Sequence, residues 1–271
     1  GMSISGVQKK LSLKIENNLL TLTSTGGTYI LKPTTEEFPE LSENEHLSML
    51  IGRLLDIETS PFGLVKFANG ELVYIIKRFD WKNDHKIHNE DMASIFNLNR
   101  DEHEEYKYSQ SYEAVGKKIK EITGGKLAVV LDFFNRLVYN YLIQNGDYHL
   151  KNISVIAERL TQSGYYESLA PNYDSVMTRL YFSKEKELAL DFLMNEKMPK
   201  EYQSVGFFTR PDFEELGLKM DLKTPATSVI FDKIKKRKDE IFELIEASFL
   251  GPDKKAEYKL KINERMKKLG V

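Results

Sequence analysis

No cysteine occurs in the 271-residue chain. That absence removes disulfide frameworks, thiolate zinc sites and cysteine nucleophiles together, and it suits a reducing compartment. Long apolar runs are missing too. No stretch approaches the roughly 18–20 uninterrupted apolar residues of a membrane span, and the N-terminus lacks the apolar core of a signal peptide. Gly1 ahead of Met2 reads as a cloning remnant. Nor is there an excess of one charge: 39 Lys and Arg stand against 41 Asp and Glu, a net charge of −2. That balance argues against a surface built wholly to hold nucleic acid. Internal repeats and low-complexity tracts are absent. What is present, 41% hydrophobic and 30% charged residues, is ordinary for a globular protein. The length allows about two domains or one large one, with a core that needs neither metal nor disulfide for stability. The expectation is a soluble cytoplasmic protein, an enzyme or a binding module.

The first eighty residues read as β-rich with one helix. Leu11 to Ile15 and Leu19 to Thr23 alternate, and Thr28 to Leu31 forms a short strand after the turn pair Gly26-Gly27. Ser42-Glu43-Asn44-Glu45 has the pattern of a capping box, and Leu47, Leu50, Ile51, Leu54 and Leu55 hold helical spacing. Phe62 to Phe67 and Leu72 to Ile76 flank Asn69-Gly70, a strong hairpin signal. Residues 81–110 are polar and read as a crossing segment and loop. From about 111 the chain is mostly helical, with a long buried helix marked by Leu127, Val130, Leu131, Phe134, Leu137, Val138, Tyr141 and Leu142. A hairpin covers Ile153–Ala157 and Tyr165–Leu169. Two or three helices finish the chain, among them 229–249 and a Lys-rich tail, 254–268, which reads as a solvated helix. Trp81 reads as packing. The class is α+β, a small β-rich lobe over residues 1–80 joined to a larger helical lobe over 81–271.

The stretch that carries most chemistry is Asn145-Gly146-Asp147-Tyr148-His149-Leu150-Lys151-Asn152, directly after the buried helix. An Asp is followed five residues later by an Asn, then by the hairpin and Tyr173-Asp174. Phosphoryl transfer from ATP needs such a set: one Asp to orient or accept the proton of the attacking hydroxyl, an Asn and a second Asp to hold magnesium on the phosphates. Two protein ligands suffice for magnesium, because phosphates and waters fill its other positions. An Asp-x4-Asn pair alone is common by chance and fits a turn capping a helix. The second Asp, in the helical half of a chain with a β-rich front, turns the balance towards chemistry.

The front half supplies complementary parts. Ser3-Ile4-Ser5-Gly6-Val7-Gln8-Lys9-Lys10 precedes the first strand, and a Ser/Gly loop there can lay backbone N–H groups over phosphates. Lys32 ends the strand Tyr29-Ile30-Leu31-Lys32, where a lysine reaches ATP phosphates or simply sits in solvent. Glu45 has two readings, a partner for Lys32 or the fourth residue of the capping box.

In this order, the Ser-Ile-Ser-Gly-Val-Gln-Lys-Lys loop, Tyr29-Ile30-Leu31-Lys32-Pro33, Asn44-Glu45-His46, Lys77-Arg78-Phe79-Asp80, Glu90-Asp91, Lys107-Tyr108, the Asp147 loop and Pro171-Asn172-Tyr173-Asp174 resemble the HipA toxin kinases. The agreement runs from residue 3 to about 180, and the last ninety residues carry no matching motif. The resemblance implies a divergent two-lobed protein-kinase-like fold and a serine/threonine protein kinase using ATP and Mg2+. By position it makes Asp147 the catalytic Asp, Asn152 and Asp174 the metal ligands and Lys32 the phosphate lysine. Ser5, Gly6 and Val7 would cover the phosphates, and Lys77 to Phe79 would be the hinge that holds adenine. Asn89, His149 and Tyr173 would lie beside the nucleotide. Ser3 and Ser5 would be autophosphorylation sites, and a phosphoserine adds about −1.5 to −2 charge where ATP phosphates must bind. Full-length relatives carry a further N-terminal subdomain before the Ser loop. Its absence after Met2 resembles split systems of the HipS/HipT type, in which a small HipS-like protein supplies the missing piece. The implied partners are therefore that protein, a HipB-like helix-turn-helix antitoxin through which DNA is met indirectly, and a protein substrate such as an aminoacyl-tRNA synthetase. Two alternatives stand beside this reading: a small-molecule phosphotransferase of related fold, and a catalytically silent corepressor that only binds an antitoxin.

Overall fold

The computed structural model describes residues 8–82, 85–100, 105–157, 164–196 and 198–271. Ser3, Ser5, Gly6 and Val7, to which the resemblance gives the phosphate loop, therefore lie outside the described residues. A five-stranded antiparallel sheet forms the front of the chain from β1 (Leu11–Glu16), β2 (Leu19–Leu22), β3 (Tyr29–Lys32), β4 (Phe62–Lys66) and β5 (Leu72–Lys77), in the order β2-β1-β3-β5-β4. The alternation in β1 places Leu13 inward with Leu31 and Val73 on one sheet face. On the other face Tyr74 and Ile76 pack with Met49 of the helix α1 (Leu41–Leu54). This is the expected consequence of the period-two geometry of strands. Gly70, at φ +89°, makes the tight β4–β5 turn that its neighbours alone would resist.

The capping-box reading fails. Helix α1 begins at Leu41 after Glu40, so Ser42 is already helical, and no side chain caps the N-terminus. The Ser42 hydroxyl instead donates to the Lys32 carbonyl at 3.1 Å. That contact frees Glu45 for a different partner. The same helix is fastened to the rear of the chain. Asn44 exchanges two hydrogen bonds with the Met177 backbone, at 3.1 and 3.0 Å, and Tyr139 Oη donates to the Ser48 carbonyl at 2.6 Å. Ser48 Oγ also meets Tyr258 Oη at 2.9 Å.

The described residues of segment 81–110 hold more regular structure than their polar composition suggests. It contains the two-residue strands β6 (Trp81–Lys82) and β7 (His85–Lys86), then β8 (His88–Asp91) and the short helix α2 (Met92–Ile95). Strand β8 pairs with β9 (Ser154–Ala157), and β9 pairs with β10 (Ser168–Leu169). All four β8 side chains are half-buried, so no apolar alternation betrays the strand; backbone pairing holds it. Behind this sheet stand α3 (Tyr112–Ile122), capped by the Ser111 hydroxyl, and α4 (Leu127–Leu142). Helix α4 runs through the main core, with Phe133, Phe134, Leu137, Tyr141 and Leu142 fully enclosed, which is why its sequence is apolar around most of its circumference.

The C-terminal part holds α5 (Lys200–Val205), α6 (Arg210–Lys219), α7 (Thr224–Lys236), α8 (Lys238–Ala247) and α9 (Pro252–Leu269). The single helix expected over 229–249 is thus two, broken at Arg237, which serves as the last cap of α7 and the first of α8. No glycine or proline marks that break. Pro211, Pro225 and Pro252 do mark the starts of α6, α7 and α9, where a missing N–H is harmless. The Lys-rich tail is the amphipathic α9, burying Tyr258, Ile262, Met266 and Leu269. No helix among the described residues is long and apolar enough to cross a membrane.

Candidate active site

The end of α4 builds the loop that carries Asp147. Gln144 turns the chain with φ +51°, and Asn145 N–H closes on the Asn140 carbonyl at 2.9 Å. Asn145 Nδ2 then donates to Asn140 Oδ1 at 2.8 Å, while its own Oδ1 accepts the Asp147 N–H at 3.1 Å. A buried amide pair thus orients the loop against the rigid helix. On the far side, Asn152 Nδ2 donates to the Asp147 carbonyl at 2.7 Å. This bond leaves Oδ1 as the remaining acceptor end of the Asn152 side chain.

Lys32 and Asp174 approach from the sheet and from the segment after β10. Lys32 is 2% exposed. Its ammonium donates to Glu45 Oε1 at 2.5 Å and makes a second, very short contact with Asp174 Oδ1. Asp174 Oδ2 accepts from Lys10 at 3.0 Å. Burial alone would depress the Lys32 ammonium, but Asp174 and Glu45 overcome it and hold the group above its ordinary pKa. Burial likewise opposes ionisation of Asp174, yet Lys32 and Lys10 hold it well below the usual carboxylate range. Lys32 and Asp174 are therefore both charged, while burial pushes the Glu45 carboxyl up against the pull of Lys32. Asp174 sits at φ +53°, a left-handed conformation that an Asp tolerates better than bulkier residues.

Lys32, Asp174 and Asp147 converge. Together with Gln8, Glu45, Asn145 and Thr178 they line one small internal cavity. A larger cleft of about 410 Å³ opens beside it, lined by Lys10, Lys32, Lys77, Phe79, Asn89, Tyr173 and Asp174 among others. Phe79 and Tyr173 stack at 5.5 Å across this cleft, and Tyr173 Oη is tied to Ser154 Oγ at 2.6 Å. The amides of Lys77 and Arg78 are already committed, to the Pro61 and Thr28 carbonyls at 2.8 Å each. His149 falls outside the cleft. It is buried behind the loop, edge-on to Tyr108 at 5.3 Å, with Nε2 3.4 Å from Asp147 Oδ1. Burial pushes its pKa down to about 4, against the pull of Asp147. On the other side of Asp147 a groove of about 810 Å³ is lined by Tyr108, Thr178, Tyr181, Phe182, Glu185 and Leu188 among others.

Among the described residues no cluster of three or more His, Cys, Asp or Glu is placed to hold a metal by itself. The donors fit magnesium nonetheless. Asp174 is kept ionised, its two oxygens on Lys32 and Lys10, and the Asn152 side chain carries an amide oxygen but lines neither cavity; both are hard oxygen donors of the type this ion takes.

A family model, the HipA-like C-terminal domain, matches residues 2–241. The chain belongs to that family. A Haemophilus influenzae protein with the provisional name of a kinase is 33% identical over 270 residues, covering 92% of this chain and 76% of its own length. A Sinorhizobium fredii protein, also provisionally named a kinase, is 33% identical over 214 residues, 72% of this chain and 50% of that one. Among solved structures, HipA of Shewanella oneidensis, seen in a toxin–antitoxin complex with HipB and operator DNA, superposes with a TM-score of 0.77. The match has 20% identity and covers 99% of this chain and 65% of that HipA. The Helicobacter pylori proinflammatory kinase CtkA gives 0.63 at 18% identity, over 95% and 87% of the two chains. The α+β, kinase-like fold expected from the sequence is therefore present. The HipA-like chain spans just under two-thirds of the Shewanella protein and half of the Sinorhizobium one.

Three residues of the site carried no assigned role in the sequence reading. Lys10 pairs with Asp174, and its sequence signal is its place at the end of the Ser loop, just ahead of β1. Thr178 and Glu185 stand against the Asp147 loop, and nothing local in sequence marks them.

Proposed function

We propose that this HipA-like protein is an ATP-dependent serine/threonine protein kinase, the toxin component of a toxin–antitoxin system. The observation that carries the reading is the buried ammonium of Lys32, bonded at once to Glu45 and to Asp174 beside the Asp147 loop. A structural ion pair needs one carboxylate. A second, on the segment that also closes the cleft, suits a lysine that must meet phosphates.

Asp147 accepts the proton of the acceptor hydroxyl as that oxygen attacks the γ-phosphorus and the bond to the leaving phosphate breaks. Lys32 neutralises phosphate charge. Asn152 and Asp174 hold Mg2+, which when bound screens the charge that develops on the phosphate oxygens. With the Lys77 and Arg78 amides committed, adenine is held by the carbonyls of this stretch and the Phe79 backbone, with Asn89 and Tyr173 along the cleft wall. His149 is set aside from nucleotide contact and packs on Tyr108 behind the loop. Residues 1–80 and 81–271 act as the two lobes around this cleft.

Ser5, Gly6 and Val7 cover the phosphates, and Ser3 and Ser5 take the autophosphate. The partners are a HipB-like antitoxin, as the Shewanella HipA has HipB, and a small HipS-like protein. The second is supported by edge strand β2, whose Leu20 and Leu22 are 45% and 65% exposed on the face they share with Ile15 of β1, a patch of the sort that marks an interaction surface. The acceptor is a serine of a translation protein such as an aminoacyl-tRNA synthetase, in the cytoplasm. Incubation with Mg2+ and ATP followed by peptide mass spectrometry tests the reading. A phosphate on Ser3 or Ser5 is expected, and label passed only to added sugars or aminoglycosides would move the protein to the small-molecule phosphotransferases.

A further inference from the structure

Thr178 lies in the 3-10 turn after Met177 and is buried. Its Oγ1 accepts the Gly146 N–H at 2.7 Å. The same hydroxyl donates to Glu185 Oε1 at 2.5 Å, with the Gln144 carbonyl a second acceptor at 3.2 Å. Glu185 sits hard against that glycine: a Cβ at position 146 would stand 2.5 Å from Oε2 and 2.6 Å from Cδ. Gly146 has no left-handed φ, so glycine is needed here for room and not for backbone freedom. The placement of the carboxyl is unfavourable. Burial pushes Glu185 up to about 7, and Asp147 adds to the rise against the Thr178 hydroxyl, Arg179 and Arg265. A solvent-facing glutamate would avoid that cost, which points to work done at this position.

We propose that Glu185 and Thr178 are positioning residues for Asp147. The carboxyl orients the hydroxyl, the hydroxyl clamps the Gly146 amide, and the clamp fixes the Asn145–Gly146 peptide immediately ahead of Asp147. Because Glu185 also lines the groove on the other side of Asp147, one residue joins the groove wall to the base. The proposal rests on the reading of Asp147 as the catalytic carboxylate. Rate is sensitive to such a clamp, since a displacement of about 1 Å costs roughly 10²-fold in rate.

The test uses the full chain with ATP, Mg2+ and its own Ser loop as acceptor. Thr178→Val and Glu185→Ala are each expected to lower kcat about tenfold with KM for ATP within about twofold, and the double variant is expected to be no slower than the worse single one. Thr178→Ser and Glu185→Gln keep an oxygen at the clamp and should stay within about threefold of wild type, which also guards against misfolding. Losses that multiply in the double variant, or Thr178→Ser as slow as Thr178→Val, overturn the proposal. Hydrogen–deuterium exchange in a peptide covering 143–150 reads the clamp without activity. Faster exchange in Thr178→Val but not Thr178→Ser is expected, and unchanged exchange in both refutes the clamp even if phosphotransfer is observed. An inactive wild type with the expected exchange pattern would instead fault the kinase reading and leave the clamp standing.

Discussion

Glu45→Ala removes one carboxylate from a cluster in which two ammoniums, Lys10 and Lys32, face two carboxylates, Glu45 and Asp174. Both Lys32 and Glu45 are buried, so water cannot replace the lost partner. Breaking a buried pair by removing one member ordinarily costs about 3–5 kcal/mol, because the other charge stays enclosed. Asp174 remains on Lys32 and takes part of that charge, so the expected loss is about 2–3 kcal/mol. Glu45→Gln restores an oxygen acceptor without the charge and should recover about 1 kcal/mol of it. The surplus positive charge also draws Lys32 on to Asp174 and away from phosphates, so ATP binding should weaken in the same order, Ala below Gln below wild type. Urea unfolding at constant m-value reads the stability, and equilibrium titration with a fluorescent ATP analogue reads the binding. A loss under about 0.5 kcal/mol for Glu45→Ala, the range of an ordinary surface change, would refute the reasoning.

Further outcomes follow from the loop. Asn152→Ala removes the bond to the Asp147 carbonyl and should destabilise by about 1–2 kcal/mol. It should also weaken the Mg2+ dependence of nucleotide affinity, with Asp174 left as a ligand, measured by calorimetry with and without the ion. For His149, the unfolded ring protonates near 6.5 while the buried ring waits until about 4. The unfolded state thus holds more protons between those values, and stability falls as pH drops from 6.5 towards 4, by at most about 3 kcal/mol. Unfolding curves at pH 7.5 and 5 should show that fall in wild type and a clearly smaller one in His149→Phe.

The sheet was legible because β1 alternates and Asn69-Gly70 specifies its turn, and α4 because its apolar residues keep helical spacing over sixteen positions. The Asp147 loop was legible as a spaced set of donors. Strand β8 was not, since His88, Asn89, Glu90 and Asp91 carry no apolar alternation and their pairing with β9 is a backbone matter. The start of α1 was misread because Ser42 bonds to the Lys32 carbonyl, a contact that helix-end patterns do not encode. Arg237 breaks the long C-terminal helix without a glycine or proline. Thr178 and Glu185 meet the loop across a separation of about thirty to forty residues, and local spacing is blind to contacts of that kind. The resemblance alone puts His149 beside the nucleotide, and no local pattern encodes its burial against Tyr108.

The central claim is that Asp147 drives phosphoryl transfer from ATP at this cleft. The direct measurement is transfer of γ-labelled phosphate by wild type and by Asp147→Asn, matched for folding and for ATP affinity. The account predicts label on the wild-type chain and a rate lower by about 10²–10⁴-fold in the variant, with nucleotide binding unchanged. Equal rates in the two proteins, or no transfer by wild type while ATP and Mg2+ are bound, would contradict it.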